Sequence, residues 1–272
     1  MSVPVQGTSS PPAFAPIAHD LRDAIIEHYE RRSESLDTPA GLVTLDTNSM
    51  LAARRGRLLL RLLAEQSAPP IAGRSVLDLG AGFGALALYF AHLGAEVVAV
   101  DPNGERAQVA VEIAEHRGLT VSAVIAHAQS LPLADSSVDL VVANNSLCYI
   151  VDRAAERLAL EEILRVLRPG GWLIVRNPNR LHPRDPFTGL PLLGMLGPPL
   201  AERAVARLGR HRSRVRLRSA GGAMRQLRRA GFSQVRWQAQ PGHRRGSRFA
   251  SYHHVLARRP DAGPRGFKPS AA

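Results

Sequence analysis

The spacing of apolar residues changes near residue 74 and divides the chain into two regions. Before that point, apolar residues recur at helical spacing over 19–33 and again over 48–66, which predicts two N-terminal helices joined by a turn around Thr38–Gly41. After it, short β-branched runs alternate with amphipathic stretches, a pattern typical of a parallel sheet with helices on both faces. The chain is therefore expected to have an α/β fold preceded by two helices.

Seven strand-like segments follow residue 74. They lie at 75–79, 96–101, 119–126, 138–143, 172–176, 235–239 and 249–257. Helical segments are predicted among them at 85–93, 104–117, 153–167 and 224–230. Because most strands are separated by a helix, the sheet is expected to be mostly parallel.

Composition marks the two ends and one long insertion. Residues 1–16 and 260–272 are rich in Pro, Gly and small residues and lack periodicity, so we expect both tails to be disordered. A single domain is expected over 17–259, with 17–70 as a helical cap. Residues 177–220 are too long for an ordinary connection after the fifth strand, and we interpret them as an insertion on the substrate side.

The net charge of +12 is concentrated near the C-terminus. Residues 200–272 hold 18 of the 35 basic residues and 2 of the 23 acidic ones, so they carry +16 and the rest of the chain carries −4. The basic region Arg203–Arg259 is suited to an anionic partner, such as RNA, an anionic membrane surface or a small molecule. A merely solvated face explains it equally well, because all but Lys268 of the basic residues are arginine.

A single cysteine, Cys148, leaves no internal disulfide and no thiolate cluster. No group of His, Cys, Asp or Glu has metal-ligand spacing, so no metal site is expected. No apolar run reaches the roughly 18 residues of a membrane span, and the first residues lack the features of a secretory signal. We expect a soluble, cytoplasmic protein; its oligomeric state is left open.

A glycine-rich turn, Gly80–Gly84, follows the first strand, where it lets the backbone approach a ligand closely. Its G-x-G-x-G spacing differs from the G-x-G-x-x-G pattern of dinucleotide sites. Asp78, just before the turn, favours a cationic ligand over a pyrophosphate. Asp101 ends the second strand, where a carboxylate accepts hydrogen bonds from a ribose diol or, alternatively, caps the next helix. Together these features favour S-adenosylmethionine (SAM) over a dinucleotide.

Four sequence blocks together resemble the methyltransferase domain of the ubiquinone and menaquinone biosynthesis type, within the class I SAM-dependent superfamily. The blocks are Val76–Gly84, Val97–Pro102, Leu131–Val142 and Glu161–Gly171, in that order, and they cover about residues 74–178. The resemblance implies a Rossmann-like fold and an enzyme, a methyltransferase, with SAM as its cofactor.

The resemblance also assigns residues to the cofactor by position. Asp78, Gly80, Gly82 and Gly84 correspond to residues that hold the methionine part of SAM. Asp101 corresponds to the acid that binds the ribose hydroxyls.

At the adenine end the sequence departs from the family. Pro102 is expected to stack on the adenine. An acidic residue usually follows the third strand and accepts from the adenine amino group, but here His127 stands there, followed by Ala128 and Gln129. The imidazole or the Gln129 amide is expected to accept that bond instead. The backbone of Asn144, after the fourth strand, is expected to meet the cofactor.

His182 and Asp185 are the candidate catalytic residues. They follow the fifth strand, at the carboxyl edge where open α/β sheets bind ligands, and histidine is the usual general base near neutral pH. His182 is expected to be the base, oriented by Asp185, with turn formation as the alternative for both. The pair His253–His254 is interpreted as structural, with one side chain inward and one outward. Tyr29 and Arg54–Arg55 are expected either to close over the cofactor, the arginines pairing with its carboxylate, or to pack ordinarily.

The expected function is methyl transfer from SAM to an oxygen atom of a small-molecule acceptor, with the insertion 177–220 shaping the acceptor pocket. RNA bound by Arg203–Arg259 and a lipid-linked acceptor at a membrane surface are alternative acceptors. A non-catalytic SAM-binding protein of the same fold is a further alternative. The sequence Asn144–Leu147 after the fourth strand differs from the Asn-Pro-Pro-Tyr type, which argues against methylation of DNA adenine.

Overall fold

The computed structural model describes residues 13–34, 36, 39–208, 214–238 and 249–261. Of the tails predicted to be disordered, residues 1–12 and 262–272 lie outside the described residues. None of the described helices is both long and apolar enough to cross a membrane.

Helices and strands alternate from β1 onward, as the sequence predicts. The α-helices of the described residues are α1 Ala15–Arg31, α2 Pro39–Asn48, α3 Ala52–Ala64, α4 Ala85–His92, α5 Gly104–Arg117, α6 Arg153–Val166, α7 Pro198–Ala206 and α8 Ala220–Arg229. Two 3-10 helices are η1 Leu147–Tyr149 and η2 Leu193–Met195. The strands are β1 Ser75–Leu79, β2 Glu96–Asp101, β3 Val121–Ile125, β4 Val138–Asn144, β5 Leu167–Pro178, β6 Ser233–Gln238 and β7 Tyr252–Arg258.

The N-terminal cap corrects two of the predictions. Three helices, α1 to α3, occupy its described residues where two were predicted, because residues 39–41 of the predicted turn Thr38–Gly41 are the start of α2, while Thr38 lies outside the described residues. Proline is favourable in a first helical turn, and burial of Leu45 stabilises α2 against the core. Order also begins before residue 17, since Phe14 is buried and its ring packs edge-on against Tyr89 at 5.3 Å.

The sheet is mostly parallel, as predicted. Its order is β3-β2-β1-β4-β5-β7-β6. β1 to β5 run parallel to one another, and β7 is antiparallel to both β5 and β6. The order reverses between β1 and β4, so the connections on the two sides of this point pass over opposite faces and open a crevice at the carboxyl edge.

Helices cover both faces of the sheet, and successive strand residues enter two different cores. Val76 and Leu256 pack in one core with α1, α3, α4 and α5. Leu77 and Val255 pack in the other, with α6 and α8. By this alternation, Asp78 and His254 lie on the first face, and Arg176, which pairs with His254, lies there too.

The described residues of the segment predicted as an insertion, 177–208 and 214–220, lie against η1 beyond the end of β4. Tyr149 of η1 makes an edge-on ring contact with Phe187 at 6.3 Å. The Arg216 amide donates to the Cys148 carbonyl at 2.8 Å. The Arg218 guanidinium forms an ion pair with Glu156 of α6. Both described ends of the segment are therefore attached at the carboxyl edge of the sheet.

His253 and His254 are both buried, which corrects the prediction that one of them points outward. Since helices cover both faces of the sheet, alternation along β7 places the two rings in two different cores. Burial lowers the pKa of His253 to about 4 and that of His254 to about 3, with the positive charge of Arg176 adding to the effect on His254. Both rings are therefore neutral in the folded protein near pH 7.

Acid is expected to destabilise the fold through His253. As the pH falls below the ordinary histidine pKa of 6.5, the imidazole of His253 becomes protonated in the unfolded chain. In the folded protein it stays neutral down to about pH 4. The free energy of unfolding should fall by about 2 kcal/mol more in the wild type than in His253→Gln between pH 8 and pH 5. Urea denaturation at each pH measures this difference. Parallel pH dependence of the two proteins would contradict it.

Candidate active site

Four neighbouring strands end at the same edge of the sheet, and the predicted cofactor residues lie at or just beyond those ends. β1 ends at Leu79, β2 at Asp101, β3 at Ile125 and β4 at Asn144. Because these strands are parallel and adjacent in the order β3-β2-β1-β4, their carboxyl ends stand side by side. The structure thus brings the predicted cofactor residues together along the crevice where open parallel sheets bind ligands.

The glycine turn after β1 needs its three glycines for different reasons. Gly80, Gly82 and Gly84 all have positive φ, at +73°, +56° and +71°. A Cβ on Gly80 would lie 2.3 Å from Ser146 Cβ, and one on Gly84 would lie 2.2 Å from Ala110 Cβ. A Cβ on Gly82 would meet nothing within 4 Å. Gly80 and Gly84 therefore allow close packing, whereas Gly82 borders open space.

The Asp101 carboxylate connects the end of β2 to this turn. Its Oδ2 accepts from the Gly82 amide at 2.8 Å, and its Oδ1 accepts from the Asn103 amide at 2.9 Å. Each carboxylate oxygen can accept more than one hydrogen bond. Asp101 can therefore brace the turn and still accept from a diol.

Asp78 is a buried carboxyl group beneath the turn. It is 3% exposed, and its Oδ2 accepts from the Ala87 amide of α4 at 3.1 Å. Burial raises the pKa of Asp78 to about 7, and the nearby Asp101 adds to the rise, while the Ala87 bond and Arg55 oppose it. A cation next to Asp78 would favour its charged form and would itself be held there.

The predicted adenine side is more open. Pro102 and His127 are exposed beyond the ends of β2 and β3, while Ala128 and Gln129 are partly buried. The His127 carbonyl accepts from the Ser130 amide at 3.0 Å, which forms a turn after β3. Since Asp101 pairs with Ile125, this turn lies beside the end of β2.

Two residues of this edge, Arg176 and Tyr252, were missed by sequence reasoning. Arg176 Nη1 donates to Asn144 Oδ1 at 3.2 Å and to Asn145 Oδ1 at 3.3 Å. Its guanidinium carbon lies 3.7 Å from the centre of the Tyr252 ring. The available signal was a charged residue directly after the apolar run 172–175, at the end of a buried strand.

The structure separates Arg54 from Arg55, which were predicted as a pair. Arg54 is exposed, whereas Arg55 is partly buried and its Nη2 donates to the Thr47 carbonyl at 2.8 Å. Burial lowers the pKa of Arg55, while the neighbouring Tyr252 and Asp78 raise it. Arg55 therefore shares the electrostatic environment of Asp78. Tyr29 packs with its ring 6.1 Å from that of Phe83 in the glycine turn.

His182 and Asp185 make different contacts from those predicted. His182 Nδ1 lies 2.6 Å from the Arg184 carbonyl, and its Nε2 lies 3.1 Å from Ser251 Oγ. Nδ1 also lies 3.3 Å from the Arg184 amide, but the 2.6 Å contact with the carbonyl, which only accepts, is the shorter one and places the proton on Nδ1; in this tautomer Nε2 accepts from the serine hydroxyl. Asp185 is buried, and its Oδ1 accepts from the Phe187 and Thr188 amides and the Thr188 hydroxyl at 3.0–3.2 Å. These bonds favour the turn-forming alternative for Asp185.

Part of the basic region is used inside the fold. Its residues 209–213 and 239–248 lie outside the described residues. Several of its described arginines bond to carboxylates or main-chain carbonyls of neighbouring elements, namely Arg214 to Glu202, Arg216 to Val151, Arg218 to Glu156, Arg228 to Val235, Arg258 to Asp261 and Gly170, and Arg259 to Arg165 and Leu167. These bonds favour a structural role for this share of the charge.

Comparison with known proteins supports the sequence-based classification. A family model described as a methyltransferase domain matches residues 77–175. A demethylmenaquinone methyltransferase of Clavibacter sepedonicus is 34% identical over 132 residues, which are 47% of this chain and 51% of that protein. The chain spans about half the length of the curated relatives it matches. The predicted resemblance to class I SAM-dependent methyltransferases is confirmed over the matched segment.

Solved structures confirm the predicted Rossmann-like fold. A crystal structure of Burkholderia thailandensis 1,6-didemethyltoxoflavin-N1-methyltransferase, with bound 1,6-didemethyltoxoflavin and S-adenosylhomocysteine, has a TM-score of 0.56 at 21% identity. The match covers 96% of this chain and 99% of that one. A [4+2]-cyclase matches with a TM-score of 0.57 at 22% identity over 79% of this chain and 83% of its own. At these identities the likeness establishes the fold.

A cationic ligand at Asp78 is expected to bind more tightly as pH rises. The free protein keeps Asp78 partly protonated near pH 7, while the ammonium of S-adenosylhomocysteine would hold the bound carboxyl ionised. The Kd for S-adenosylhomocysteine, measured by isothermal titration calorimetry, should fall about tenfold between pH 6 and pH 8. Asp78→Asn should bind more weakly and with little pH dependence. A wild-type Kd that is equal at both pH values would contradict a cation at Asp78.

Proposed function

We propose that this protein, whose residues 77–175 match a family model described as a methyltransferase domain, is a class I SAM-dependent methyltransferase that transfers a methyl group from SAM to a small-molecule acceptor. The observation that carries the proposal is the meeting of Asp78, Gly82 and Asp101 at one edge of the sheet. The buried carboxyl of Asp78 suits the ammonium of SAM, and the strand-end carboxylate of Asp101 suits its ribose diol. Gly82, which borders open space, suits the backbone atoms of the methionine part.

The proposed cofactor contacts follow the order of the strands. The methionine part lies over the turn after β1, the ribose at the end of β2, and the adenine beside the turn after β3. The residues assigned to these parts are Asp78, Gly80, Gly82 and Gly84, then Asp101, then Pro102, His127, Ala128 and Gln129, with the backbone of Asn144 on the other side. Arg55 binds the methionine carboxylate, which its place near Asp78 supports.

Bound SAM supplies a methyl group on a positively charged sulfur. The task of the chain is to hold the acceptor atom in line with that bond and to exclude water. η1 and the described residues of the segment 177–220 lie beside the carboxyl edge and form the acceptor side of the site. The Burkholderia enzyme, whose structure holds bound 1,6-didemethyltoxoflavin, supports an acceptor of small-molecule size.

His182 is proposed as the general base for an oxygen acceptor. Its Nδ1 donates to the Arg184 carbonyl, which leaves the unprotonated Nε2 directed at the Ser251 hydroxyl. Nε2 would accept the acceptor's proton, directly or through that hydroxyl, as the carbon–oxygen bond forms. Asp185 acts as a positioning residue, since its bonds to the Phe187 and Thr188 amides fix the loop.

Cofactor binding is the first test of this function. Isothermal titration calorimetry should show that the wild type binds S-adenosylhomocysteine at micromolar strength and that Asp101→Ala binds at least about tenfold more weakly, because charge-assisted hydrogen bonds to the ribose are lost. Asp101→Asn keeps one acceptor oxygen and should lie between them. The exposed Asp23 of α1 provides a matched control, Asp23→Ala, with unchanged affinity. Absence of binding to the wild type would overturn the proposed function.

The base is tested by methyl transfer from radiolabelled SAM to a panel of small hydroxylated acceptors. His182→Gln should lower the rate with an oxygen acceptor by about 10²-fold or more and leave S-adenosylhomocysteine affinity unchanged. The exposed His116 of α5 supplies the control, His116→Gln, with a wild-type rate. An unaltered rate in His182→Gln would remove His182 from catalysis, and a panel without any methylated product would favour the non-catalytic alternative.

A further inference from the structure

Arg176 is a partly buried cation whose described partners are neutral. They are two amide oxygens, Asn144 Oδ1 and Asn145 Oδ1, and the face of the Tyr252 ring. No carboxylate of the described residues forms an ion pair with Arg176. A guanidinium removed from water without an opposite charge is costly. Its position at the ligand-binding edge of the sheet suits a group that brings a negative charge.

The proposed cofactor does not supply this charge. SAM carries a sulfonium, an ammonium and one carboxylate, so its net charge is a single positive one. Asp78 and Asp101 contribute two negative charges to the site, and Arg55 contributes one positive charge. These charges cancel when the cofactor is bound, which leaves the charge of Arg176 without a counterpart. Burial lowers the pKa of Arg176 to about 10, so the residue remains charged at neutral pH.

One aromatic side chain lies against this cation, and two others are connected with it on the acceptor side. Tyr252 lies against the guanidinium, and Tyr149 of η1 is close enough to Tyr252 and Arg106 for their charges to affect its pKa. Tyr149 is 50% exposed, and its ring contacts that of Phe187, which is 36% exposed. Exposed aromatic faces and edges at a ligand-binding edge suit a flat ring.

We propose that Arg176 binds an anionic substituent, a carboxylate or a phosphate, of an aromatic acceptor whose ring packs against Tyr149, Phe187 and Tyr252. This specificity rests on the proposed function, since it describes the acceptor of the same reaction. In this arrangement Arg55 binds the carboxylate of the cofactor, and Arg176 binds the anionic group of the acceptor. The planar guanidinium offers a paired set of donors to such a group.

To test this proposal, simple probes are titrated into the protein saturated with S-adenosylhomocysteine, and the binding of each probe is measured by ligand-observed NMR. Benzoate supplies a ring with a carboxylate, benzamide the same shape without the charge, and inorganic phosphate an anion without the ring. Benzoate should bind the wild type at least about tenfold more tightly than benzamide, because its hydrogen bonds to Arg176 are charge-assisted. If phosphate displaces benzoate with an affinity equal to that of benzoate, the site binds anions in general. That result would overturn the proposal that the acceptor is aromatic.

Variants assign the preference to Arg176. Arg176→Met should reduce the benzoate-to-benzamide ratio to about one while leaving S-adenosylhomocysteine affinity within about twofold, and Arg176→Lys should restore part of the ratio. Arg54→Met, which removes an exposed arginine next to Arg55, is the matched control and should change neither value. Thermal unfolding of each variant checks that it is folded.

Two results would overturn the inference. One is equal binding of benzoate and benzamide to the wild type. The other is a loss of S-adenosylhomocysteine affinity in Arg176→Met as large as that in Arg55→Met, which would place Arg176 on the cofactor. Failure of the wild type to bind S-adenosylhomocysteine would instead refute the proposed function, and benzoate titrated into the free protein would then still test the anion site.

Discussion

β1 pairs with β2 on one side and with β4 on the other, and both pairings are parallel. The connections from the two sides then cover opposite faces, α4 and α5 on one and α6 on the other, so that the strand ends are left open between them. This opening gives the glycine turn room to bend over the end of β1. The bond from the Gly82 amide to the Asp101 carboxylate then fixes the turn against the end of β2. The proposed cofactor and acceptor sites both depend on this crevice.

Electrostatics gives the crevice its specificity. Asp78, Arg55 and Arg176 lie on the sheet face that carries α3 and α4, where burial shifts the pKa of each away from its ordinary value. In low-dielectric surroundings such groups are stabilised by opposite charges. Asp78 and Arg176 therefore suit a cation and an anion at neighbouring points of one edge. Among the described residues, neither Asp78 nor Arg176 forms an ion pair, which is why we connect both charges with ligands.

Several described arginines of the basic region Arg203–Arg259 have a structural role that the net charge of the region does not suggest. Arg218 pairs with Glu156 of α6, Arg216 binds the Val151 carbonyl after η1, and Arg259 binds main-chain carbonyls before β5. A multidentate guanidinium can hold a loop against a strand end by satisfying several buried acceptors. The contacts of Arg216 and Arg218 attach the end of the segment 177–220 beside η1, where it borders the proposed acceptor site.

The sequence alone determined the mostly parallel sheet, since its β-branched runs and amphipathic stretches have different periods. It also located the glycine turn that we propose for the cofactor, since G-x-G-x-G preceded by Asp78 is a local pattern. It did not determine α2, because burial of Leu45 is decided by distant helices. It left open whether Asp185 forms a turn, and it did not reveal that both His253 and His254 are buried or that Arg176 meets Asn144, Asn145 and Tyr252. Those outcomes depend on contacts between residues far apart in the chain, such as the pairing of β5 with β7 and the cover on both sheet faces. Periodicity describes a segment and its own faces, whereas only the tertiary structure decides what each face meets.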